Sequence, residues 1–564
     1  MFNVIILSSG LSTRLKPITN NIPKVLVNIG TDTALLQQER YWSQYKDLDK
    51  IYVVVHGKYV HLLEEYISTN NHDDDVMIGQ DKIEIIAENE SNGSFEAIRN
   101  AVRYYPQLEE NVFLNWGDLI PQGINNYNII NYDRQKKNII FTNDSNCRYG
   151  VVGIGDEERI EYVETGGNIP GIYFIKKMPN FLDYEIGDDL IQHMSNWTSS
   201  SIDLIDFGDM TKLTRAHSRE IVSRDFNSIE IKGDVVTKTA LDSKGRDLQK
   251  KELRWYSKKP PNTPKILESS NTHFKMERAK GQPVYQCYED GLEVRILDAL
   301  KELHETNSQA VTQKIVKRDL QIEVVDKTYD RKESIQGLLD GFGIVESVNK
   351  KPLIDFDYMC TILYDRLTWF NKKRSKYTFI HGDPNFSNTM YDGNKITFID
   401  PRGYFGKTRL YGPETYDQAK VLYALSGYDN FNADVNFGHY ELNGKDLTLQ
   451  IPPLQKISSL DPKNNSLFNE ETYTWLALIW VNLGGYFKNN PLKAILAYYY
   501  GMYLATWLIE DRFPKKRNGS NELYSPVDLV IHTKLPFKWD IHDTDKDMRY
   551  RGQGPFADKM WKRL

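Results

Sequence analysis

The chain has 564 residues, with 71 Lys and Arg against 77 Asp and Glu, a formal net charge of −6. This length exceeds what one hydrophobic core serves, so we expect about two to four domains. No basic block marks a nucleic-acid surface, and nucleic acid is therefore excluded as an expected partner. The cysteines, Cys147, Cys287 and Cys360, are far apart, which indicates neither a disulfide framework nor a zinc site.

The N-terminus shows no targeting signal, because Met1-Phe2-Asn3 leads directly into an apolar run without a basic leader or cleavage motif. The apolar runs 475–487 and 492–509 are interrupted by Gly and polar residues, and we interpret them as buried helices that do not span a membrane. We therefore expect a cytoplasmic protein with no membrane span. Homo-oligomer formation is left open.

The first predicted element is a strand, Val4-Ile5-Ile6-Leu7, whose fully apolar character is typical of a buried parallel sheet. It runs into Ser8-Ser9-Gly10-Leu11-Ser12-Thr13-Arg14, and Lys24 follows ten residues later. Small residues let backbone N–H groups approach a phosphate, and Arg14 and Lys24 add two cations. By itself the loop is also ordinary βα-loop chemistry.

Two carboxylates follow apolar runs further along. The strand-like Val112-Phe113-Leu114 ends in Asn115-Trp116-Gly117-Asp118, and Asp206 follows Ile205. By themselves, carboxylates at such positions commonly cap the helices that follow.

Together, residues 7–24 resemble the opening of the sugar-nucleotide and phospho-alcohol nucleotidyltransferases, a Gly-x-Gly-Thr-Arg loop followed by Pro-Lys. The resemblance extends over roughly the first 215 residues. It implies an α/β, Rossmann-like (GT-A-like) domain in which an acceptor phosphate attacks the α-phosphorus of a nucleoside triphosphate and pyrophosphate leaves. Ser12 replaces the second family Gly, and Thr165 stands where a Lys often follows Glu164.

The same resemblance implies the roles of individual residues. Arg14 and Lys24 would be the catalytic cations, and Asp118 and Asp206 the Mg²⁺ ligands. The acceptor half would be formed by Trp116, Tyr149 and Glu164. The nucleotide would be bound by Ser8, Ser9, Gly10, Ser12, Thr13, Asn92 and Ser94.

The next predicted elements are two short strands, 228–231 and 235–238, joined through Lys232-Gly233-Asp234 as a hairpin. Lys238 ends the second strand, and Glu252 lies in the predicted helix 247–257. A strand Lys paired with a helix Glu can hold the α- and β-phosphates of a nucleotide. The alternative is that both side chains are solvated surface. Glu277, at the end of a further predicted strand, is assigned to the hinge that contacts the nucleotide.

The predicted strand 377–380 ends in His381-Gly382-Asp383, Asn388 follows on the same loop, and Asp400 ends the predicted strand 395–399. Neighbouring strand ends would bring an Asp that orients a hydroxyl close to two oxygen ligands for Mg²⁺. The plain alternative is an Asp-Pro turn followed by an edge strand.

This pattern resembles the catalytic and metal loops of the aminoglycoside phosphotransferase and choline kinase family, and Tyr416-Asp417-Gln418-Ala419-Lys420 is similar to a helix opening of its members encoded near capsule genes. The resemblance implies a bilobal, protein-kinase-like (α+β) domain with Asp383 as the catalytic base and Asn388 and Asp400 as Mg²⁺ ligands. Arg402 is assigned to the substrate; Pro401-Arg402-Gly403 departs from the Phe-Gly of protein kinases.

We therefore predict a nucleotidyltransferase domain at 1–218, a kinase-like domain at 219–515 and an extension of unknown role at 516–564. One half would phosphorylate a small alcohol, amine or sugar with ATP, and the other would couple the phosphate to a nucleotide from an NTP, with CTP favoured, for surface-polysaccharide synthesis. Choline or another small alcohol or amine is the favoured acceptor. Two alternatives stay open: a sugar phosphorylated at its anomeric hydroxyl, and a chain in which one half is inactive and binds or regulates.

Overall fold

The computed structural model describes residues 1–10, 12–70, 82–88, 93–123, 126–134, 136–143, 147–154, 157–181, 194–219, 227–433, 440–451 and 468–510. The described chain divides into two compact units. Unit 1 comprises Met1–Val222, Ile335–Ile344 and Phe487–Ile495. Unit 2 comprises Ser223–Ser334, Val345–Tyr486 and the described residues from Leu496.

The described strands are β1 (Phe2–Ser8), β2 (Asn28–Ile29), β3 (Asp32–Thr33), β4 (Leu48–His56), β5 (Ile83–Glu88), β6 (Glu110–Trp116), β7 (Leu119–Pro121), β8 (Asn138–Thr142), β9 (Cys147–Ile154), β10 (Glu157–Gly167), β11 (Ile172–Lys177), β12 (Trp197–Ser201), β13 (Leu204–Asp206), β14 (Asn227–Lys232), β15 (Val235–Ala240), β16 (Ile266–Ser269), β17 (His273–Glu277), β18 (Gln282–Pro283), β19 (Ser308–Ala310), β20 (Ser347–Val348), β21 (Lys351–Pro352), β22 (Lys376–Phe379), β23 (Thr389–Tyr391), β24 (Ile396–Phe398), β25 (Tyr411–Gly412), β26 (Tyr440–Asn443) and β27 (Asp446–Leu449).

The described α-helices are α1 (Ala34–Ser43), α2 (Val60–Asn70), α3 (Ser94–Tyr104), α4 (Tyr127–Ile130), α5 (Met210–Arg219), α6 (Ser243–Tyr256), α7 (Val284–Cys287), α8 (Leu292–Thr306), α9 (Gln313–Leu320), α10 (Lys327–Glu333), α11 (Gln336–Phe342), α12 (Phe356–Phe370), α13 (Glu414–Leu425), α14 (Tyr428–Ala433), α15 (Glu470–Tyr486) and α16 (Pro491–Ile509).

Unit 1 is built on a mixed sheet. Its described strands lie in the order β5-β4-β1-β6-β11-β8-β12-β10-β9. The first four pair in parallel, whereas β11 pairs antiparallel to both β6 and β8. The parallel part with its crossover helices is the Rossmann-like half of the predicted α/β domain.

Strand β1 is buried along its whole length, because helices cover both faces of the sheet. On one face Ile5 packs in a cluster with Phe95 and Ile98 of α3. On the other face Phe2 makes an edge contact with Trp42 of α1, with ring centroids 6.3 Å apart. A strand buried on both faces needs apolar residues at consecutive positions, which is the pattern of β1.

Unit 2 begins with an antiparallel sheet in the order β14-β15-β17-β16. Lys232 pairs with Val235, so the β14–β15 hairpin turns through Gly233 and Asp234. Gly233 has a φ of 58°, a left-handed conformation that suits glycine in a two-residue hairpin loop. The hairpin, the following helix α6 and the two strands around the Asp383 loop occur close to where the sequence predicts them.

The rest of unit 2 is mainly helical, with α15 forming much of its centre. Trp475 and Trp480 of this helix are almost fully buried. Trp480 donates a hydrogen bond from Nε1 to the Ser426 hydroxyl at 2.9 Å. In the part of the chain that the structure describes, no helix combines the length and apolar character required to cross a membrane.

Candidate active sites

The loop after β1 lies at the carboxyl end of the parallel strands, where such sheets bind ligands. Ser8 is 1% exposed, and its Oγ has no hydrogen-bond partner within the described ranges. Ser12 has a φ of 48°, and its backbone oxygen accepts hydrogen bonds from Leu15 N at 3.0 Å and from the Thr19 hydroxyl at 2.8 Å. The predicted phosphate loop therefore has a defined, partly left-handed turn.

Lys24 and Asp118 form an ion pair across this site. The distance from Lys24 Nζ to Asp118 Oδ1 is 3.0 Å, and both side chains are largely buried. Burial alone would raise the pKa of Asp118, but the charge and hydrogen bond of Lys24, together with the charge of Arg14, hold it below its usual value. Asp118 is thus ionised and paired with Lys24.

Gly117 makes this close approach sterically feasible. A Cβ on Gly117 would lie 3.0 Å from the Leu7 carbonyl oxygen, from Lys24 Cε and from Val25 Cγ1. The Gly117 N–H donates to the Leu7 oxygen at 2.9 Å, which joins the end of β6 to the end of β1. A residue with a side chain at this position would displace Lys24 or the strand end.

Asp206 reaches the same place through the short antiparallel pair of β13 with β7, in which it lies opposite Leu119. A Cβ built on Gly208 would be 2.9 Å from Asp118 Oδ2 and 3.3 Å from Asp206 Oδ1. The two carboxylates therefore border one small space. Lys212, on the first turns of α5, lies 2.5 Å from Asp206 Oδ2.

The carboxylates of Asp118 and Asp206 fit a magnesium ion. Within the described ranges no group of three or more His, Cys, Asp or Glu side chains could enclose a metal ion. Two carboxylates facing one space suit Mg²⁺, which takes few protein oxygens and completes its shell with phosphate oxygens and water. The lysines that balance Asp118 and Asp206 would lie within reach of the same phosphates.

The structure describes most, but not all, of the other residues predicted for the first site. Trp116 packs on Gly171, whose Cβ would lie 3.1 Å from the indole, and makes an edge contact with Tyr173 at 5.3 Å. Ser94 is the first residue of α3. Tyr149 and Glu164 lie in β9 and β10. Asn92 lies outside the described residues.

The second site contains a three-membered ion cluster. Lys238 Nζ of β15 lies 2.6 Å from Glu252 Oε2 of α6 and 2.6 Å from Asp400 Oδ1. Burial would lower the pKa of Lys238, but the charges of Asp400 and Glu252 raise it well above its ordinary value. Lys238 and Glu252 are therefore paired in a buried site, and the solvated-surface alternative does not hold. The other nucleotide candidate, Glu277, ends β17 and is exposed.

Helix α6 is fastened to the strand that leads to Asp383. Trp255 Nε1 donates a hydrogen bond to the Ile380 oxygen at 2.8 Å, and the indole stacks on Phe379 with ring centroids 5.3 Å apart. Glu252 lies on the same helix as Trp255. Helix α6 therefore positions both Glu252, which pairs with Lys238, and the start of the Asp383 loop.

The Asp383 loop is held by a buried aspartate. Asp417 of α13 accepts hydrogen bonds from His381 N at 2.8 Å and Gly382 N at 2.7 Å. His381 accepts from Asp383 N at Nδ1 and contacts the Ile399 oxygen through Nε2, which fits the neutral Nε2–H tautomer. Burial lowers the pKa of His381, in agreement with a neutral ring.

Asp383 itself faces two partners. Asn388 Nδ2 donates to the Asp383 carbonyl at 3.0 Å and to Oδ2 at 3.3 Å. Because the Nδ2 group makes these bonds, the amide oxygen is the Asn388 atom that could bind a cation. Lys420 Nζ lies 2.9 Å from Asp383 Oδ1.

Asn388 and Asp400 flank the β23–β24 hairpin, and Ile399 N donates to the backbone oxygen of Asn388 at 2.9 Å. Asp400 adopts a φ of 54°, a left-handed conformation that is uncommon for a residue with a side chain. Such a conformation often marks a functional position. Asp400 and Asn388 offer only oxygen atoms for a cation, the donor set that suits Mg²⁺.

Arg402 lies beside this site but is engaged by the protein. Its guanidinium donates to both carboxylate oxygens of Glu323, at 3.0 and 2.9 Å, and to the Tyr416 hydroxyl at 2.7 Å. These bonds place Arg402 in an internal network, and its predicted contact with the substrate stays a prediction.

Comparison with known proteins bears on the first site. Residues 3–164 match the family model described as nucleotidyl transferase. The N-terminal region is a nucleotidyltransferase domain. No curated protein matches the chain.

Solved structures similar to this chain include three enzymes. A UDP-glucose pyrophosphorylase complexed with UDP-glucose is 14% identical over 39% of this chain and 98% of its own, with a TM-score of 0.33. A putative glucose-1-phosphate thymidylyltransferase from Bacillus anthracis, in complex with a sucrose, is 16% identical over 40% and 97%, with a TM-score of 0.32. A CTP:phosphocholine cytidylyltransferase from Streptococcus pneumoniae is 15% identical over 39% and 99%, with a TM-score of 0.30.

Sequence reasoning missed two cations at the sites. In the nucleotidyltransferase domain it missed Lys212, which lies six residues after Asp206 in the sequence and forms an ion pair with it. In unit 2 it missed Lys420, although this residue lies in the quoted motif three residues after Asp417. Positions i and i+3 share a helix face, so the placement of Asp417 under the catalytic loop could have indicated that Lys420 also faces it.

Proposed function

We propose that the chain is a bifunctional enzyme. Unit 2 phosphorylates a small hydroxylated molecule with ATP, and the nucleotidyltransferase domain couples the resulting phosphate to a nucleotide. The observation that carries the proposal is the presence of two separate sites, each with a lysine–aspartate pair beside a further oxygen ligand. Each site therefore has charges suited to a nucleoside triphosphate.

In the nucleotidyltransferase domain, a phosphate oxygen of the acceptor attacks the α-phosphorus. A new P–O bond forms, the bond to the β-phosphate oxygen breaks, and pyrophosphate leaves with the electron pair. Arg14 and Lys24 neutralise the charge that grows on the phosphates. Asp118 and Asp206 would hold Mg²⁺, which would fix the in-line geometry. No side-chain nucleophile is required.

In unit 2 the acceptor hydroxyl attacks the γ-phosphorus of ATP. The O–P bond forms, the bond between the γ-phosphorus and the β–γ bridging oxygen breaks, and ADP leaves. Asp383 accepts the hydroxyl proton and releases it to water. Lys238, positioned by Glu252, binds the α- and β-phosphates, and Asn388 and Asp400 would hold Mg²⁺, which would neutralise the phosphates.

The identity of the NTP belongs to the proposal as well. CTP is favoured because the short nucleotidyltransferase domain and the choline-kinase-like loop both favour a choline-type acceptor, whereas the predicted base-contacting residue Asn92 lies outside the described ranges. Activated donors of this kind serve surface-glycan synthesis, which is the pathway class we propose.

Product analysis tests the proposal. Candidate acceptors are incubated with ATP and with CTP, UTP or GTP in Mg²⁺ buffer, and products are identified by mass spectrometry. We expect a phosphorylated acceptor with ATP alone and a nucleotidyl-linked acceptor when the matching NTP is added. Pyrophosphate release that never depends on an acceptor phosphate would contradict the coupled reaction.

A further inference from the structure

A second buried aspartate, Asp429 of α14, holds the Asp383 loop. The Asp429 side chain lies in the interior of unit 2, with the residue only 2% exposed. Its Oδ1 accepts a hydrogen bond from Ser387 N at 2.8 Å, and its Oδ2 accepts one from Phe386 N at 3.2 Å. Both carboxylate oxygens are thus bound to the backbone of the loop.

The two N–H groups lie at an important place in the loop. Phe386 and Ser387 form a turn between Asp383 and Asn388, outside any helix or strand. Backbone N–H groups that are shielded from water and lie outside regular structure need another acceptor. Here the acceptor is the Asp429 carboxylate, so the position of the turn depends on this side chain.

Asp417 and Asp429 hold different parts of the same loop. Asp417 accepts from the two N–H groups directly before Asp383, whereas Asp429 accepts from the two directly before Asn388. Asn388 Nδ2 reaches back to Asp383 Oδ2 at 3.3 Å. A shift of the turn held by Asp429 would therefore move Asn388 relative to Asp383.

The helix that carries Asp429 is itself braced by Trp480 of α15. The Trp480 Nε1 donates to the hydroxyl of Ser426, directly after α13, at 2.9 Å. Its indole also makes an edge contact with Phe431 of α14, with ring centroids 5.6 Å apart. One buried tryptophan thus contacts the supports of both aspartates.

The charge of Asp429 suits its two donors. Burial raises the pKa of Asp429 to about 6, although the hydrogen bonds from Ser387 and Phe386 oppose the rise, so the group is a carboxylate at pH 7. A carboxylate accepts hydrogen bonds at both oxygens. An asparagine of the same shape accepts at one atom only, and its NH₂ group would face the other N–H donor.

We propose that Asp429 is a positioning residue of the unit 2 site, which sets the place of Asn388 relative to Asp383. The inference rests on the proposed kinase function. Through the turn, Asp429 keeps the Asn388 amide oxygen where it would bind a cation while Asp383 faces the acceptor hydroxyl. Removing a group that orients a metal ligand typically costs about 10–100-fold in metal affinity or activity.

The test compares the full-length wild type with Asp429→Asn. Binding of a non-hydrolysable ATP analogue is measured by titration calorimetry, with Mg²⁺ and with a chelator, and ADP release is measured with ATP and Mg²⁺. With Mg²⁺ we expect the variant to bind the analogue about tenfold more weakly and to release ADP at least about tenfold more slowly. With the chelator the two chains should bind alike, because Asn388 acts through the cation.

Asp392→Asn is the matched control. Asp392 also accepts hydrogen bonds from two loop N–H groups, those of Asn394 and Lys395, but in the exposed turn of the β23–β24 hairpin. This variant should keep the Mg²⁺-dependent binding and the ADP release of the wild type. Asp429→Glu, which retains both acceptor oxygens, should keep more activity than Asp429→Asn. Thermal unfolding checks that the variants are folded.

Hydrogen exchange of the wild type gives a check that requires no variant. The amides of Phe386 and Ser387 should exchange at least about tenfold more slowly than in an unfolded chain. Unprotected amides would overturn the inference even if Asp429→Asn does not fold.

The remaining outcomes are distinguishable. Wild-type binding and ADP release in a folded Asp429→Asn chain would overturn the inference. Weaker binding with and without Mg²⁺ alike would indicate a general structural effect and would also overturn it. A selective loss of Mg²⁺-dependent binding, in a protein whose wild type phosphorylates no acceptor, would support the inference about the loop and contradict the proposed kinase function.

Discussion

At the scale of single residues, Asp118 has the environment of a metal ligand. It is ionised, buried and shares a space with Asp206 at Gly208. Asp118→Asn keeps the volume but removes the charge that would hold Mg²⁺ against the triphosphate. We expect nucleotidyl transfer to fall by about two orders of magnitude or more, measured as pyrophosphate release.

The kinase rate of the same variant, measured as ADP release, is the control and should be near that of the wild type. Unchanged nucleotidyl transfer would contradict the metal-site assignment, and Asp118 would then be a loop cap.

At the scale of elements, the contact of β1 with β6 depends on Gly117. In Gly117→Ala the new Cβ would press on the Leu7 oxygen and on Lys24. We expect nucleotidyl transfer to fall at least about tenfold, with a loss of about 1–3 kcal/mol in unfolding free energy. Thermal unfolding and pyrophosphate release are the measurements.

Gly10→Ala is the matched control for stability, because a Cβ there meets nothing within 4 Å. Equal thermal stability of the two alanine variants would show that the close approach at Gly117 is unimportant.

Glu323 joins the helical segment Gln321–Asp326 to the loop after Asp400, through Arg402 and the N–H of Gly406. Although burial opposes it, the charges of Arg402 and Lys327 lower the pKa of Glu323 to about 2. The folded state therefore favours the carboxylate. Its contribution to stability is complete above the unfolded pKa of 4.5 and is lost as pH falls from there towards 2.

Glu323→Gln should destabilise unit 2 by about 3–5 kcal/mol at pH 7, because it leaves Arg402 buried without its partner. The difference from the wild type should shrink below pH 4.5, as followed by urea unfolding across pH. Glu346→Gln, on an exposed pair, should have little effect at any pH. A pH-independent difference for Glu323→Gln would contradict the role of its charge.

The elements also show what the sequence could predict. The apolar run of β1, the Gly-containing hairpin and the strands around Asp383 are local patterns, and they appear in the structure close to the predicted positions. Lys420 was not predicted because it meets Asp383 only when α13 packs against the Asp383 loop, whereas Lys212 lies only six residues after Asp206 and was missed although the two are close in sequence. Arg402 was assigned to the substrate, and its bonds to Glu323 were not predicted because they depend on a segment about 80 residues away.

At the scale of the whole molecule, the proposal requires two activities that can be removed separately. Asp383→Ala removes the group that accepts the hydroxyl proton, so ATP-dependent phosphorylation should be lost. Nucleotidyl transfer to a supplied phosphorylated acceptor should survive. The measurements are ADP release and pyrophosphate release from the same preparation, and loss of both in a folded variant would contradict two independent sites.

In the structure, Lys24 is paired with Asp118 and Lys238 with Asp400. These ion pairs affect how each site would bind a nucleotide. Under the proposed function, binding of a metal–nucleotide complex would be an exchange of partners, in which each lysine would pair with phosphate oxygens and each aspartate would hold the cation. A nucleotide without its metal would take the lysine and leave the carboxylate facing the phosphates. We therefore expect each site to bind ATP or its NTP far more weakly when divalent cations are chelated, which titration calorimetry with and without Mg²⁺ would measure.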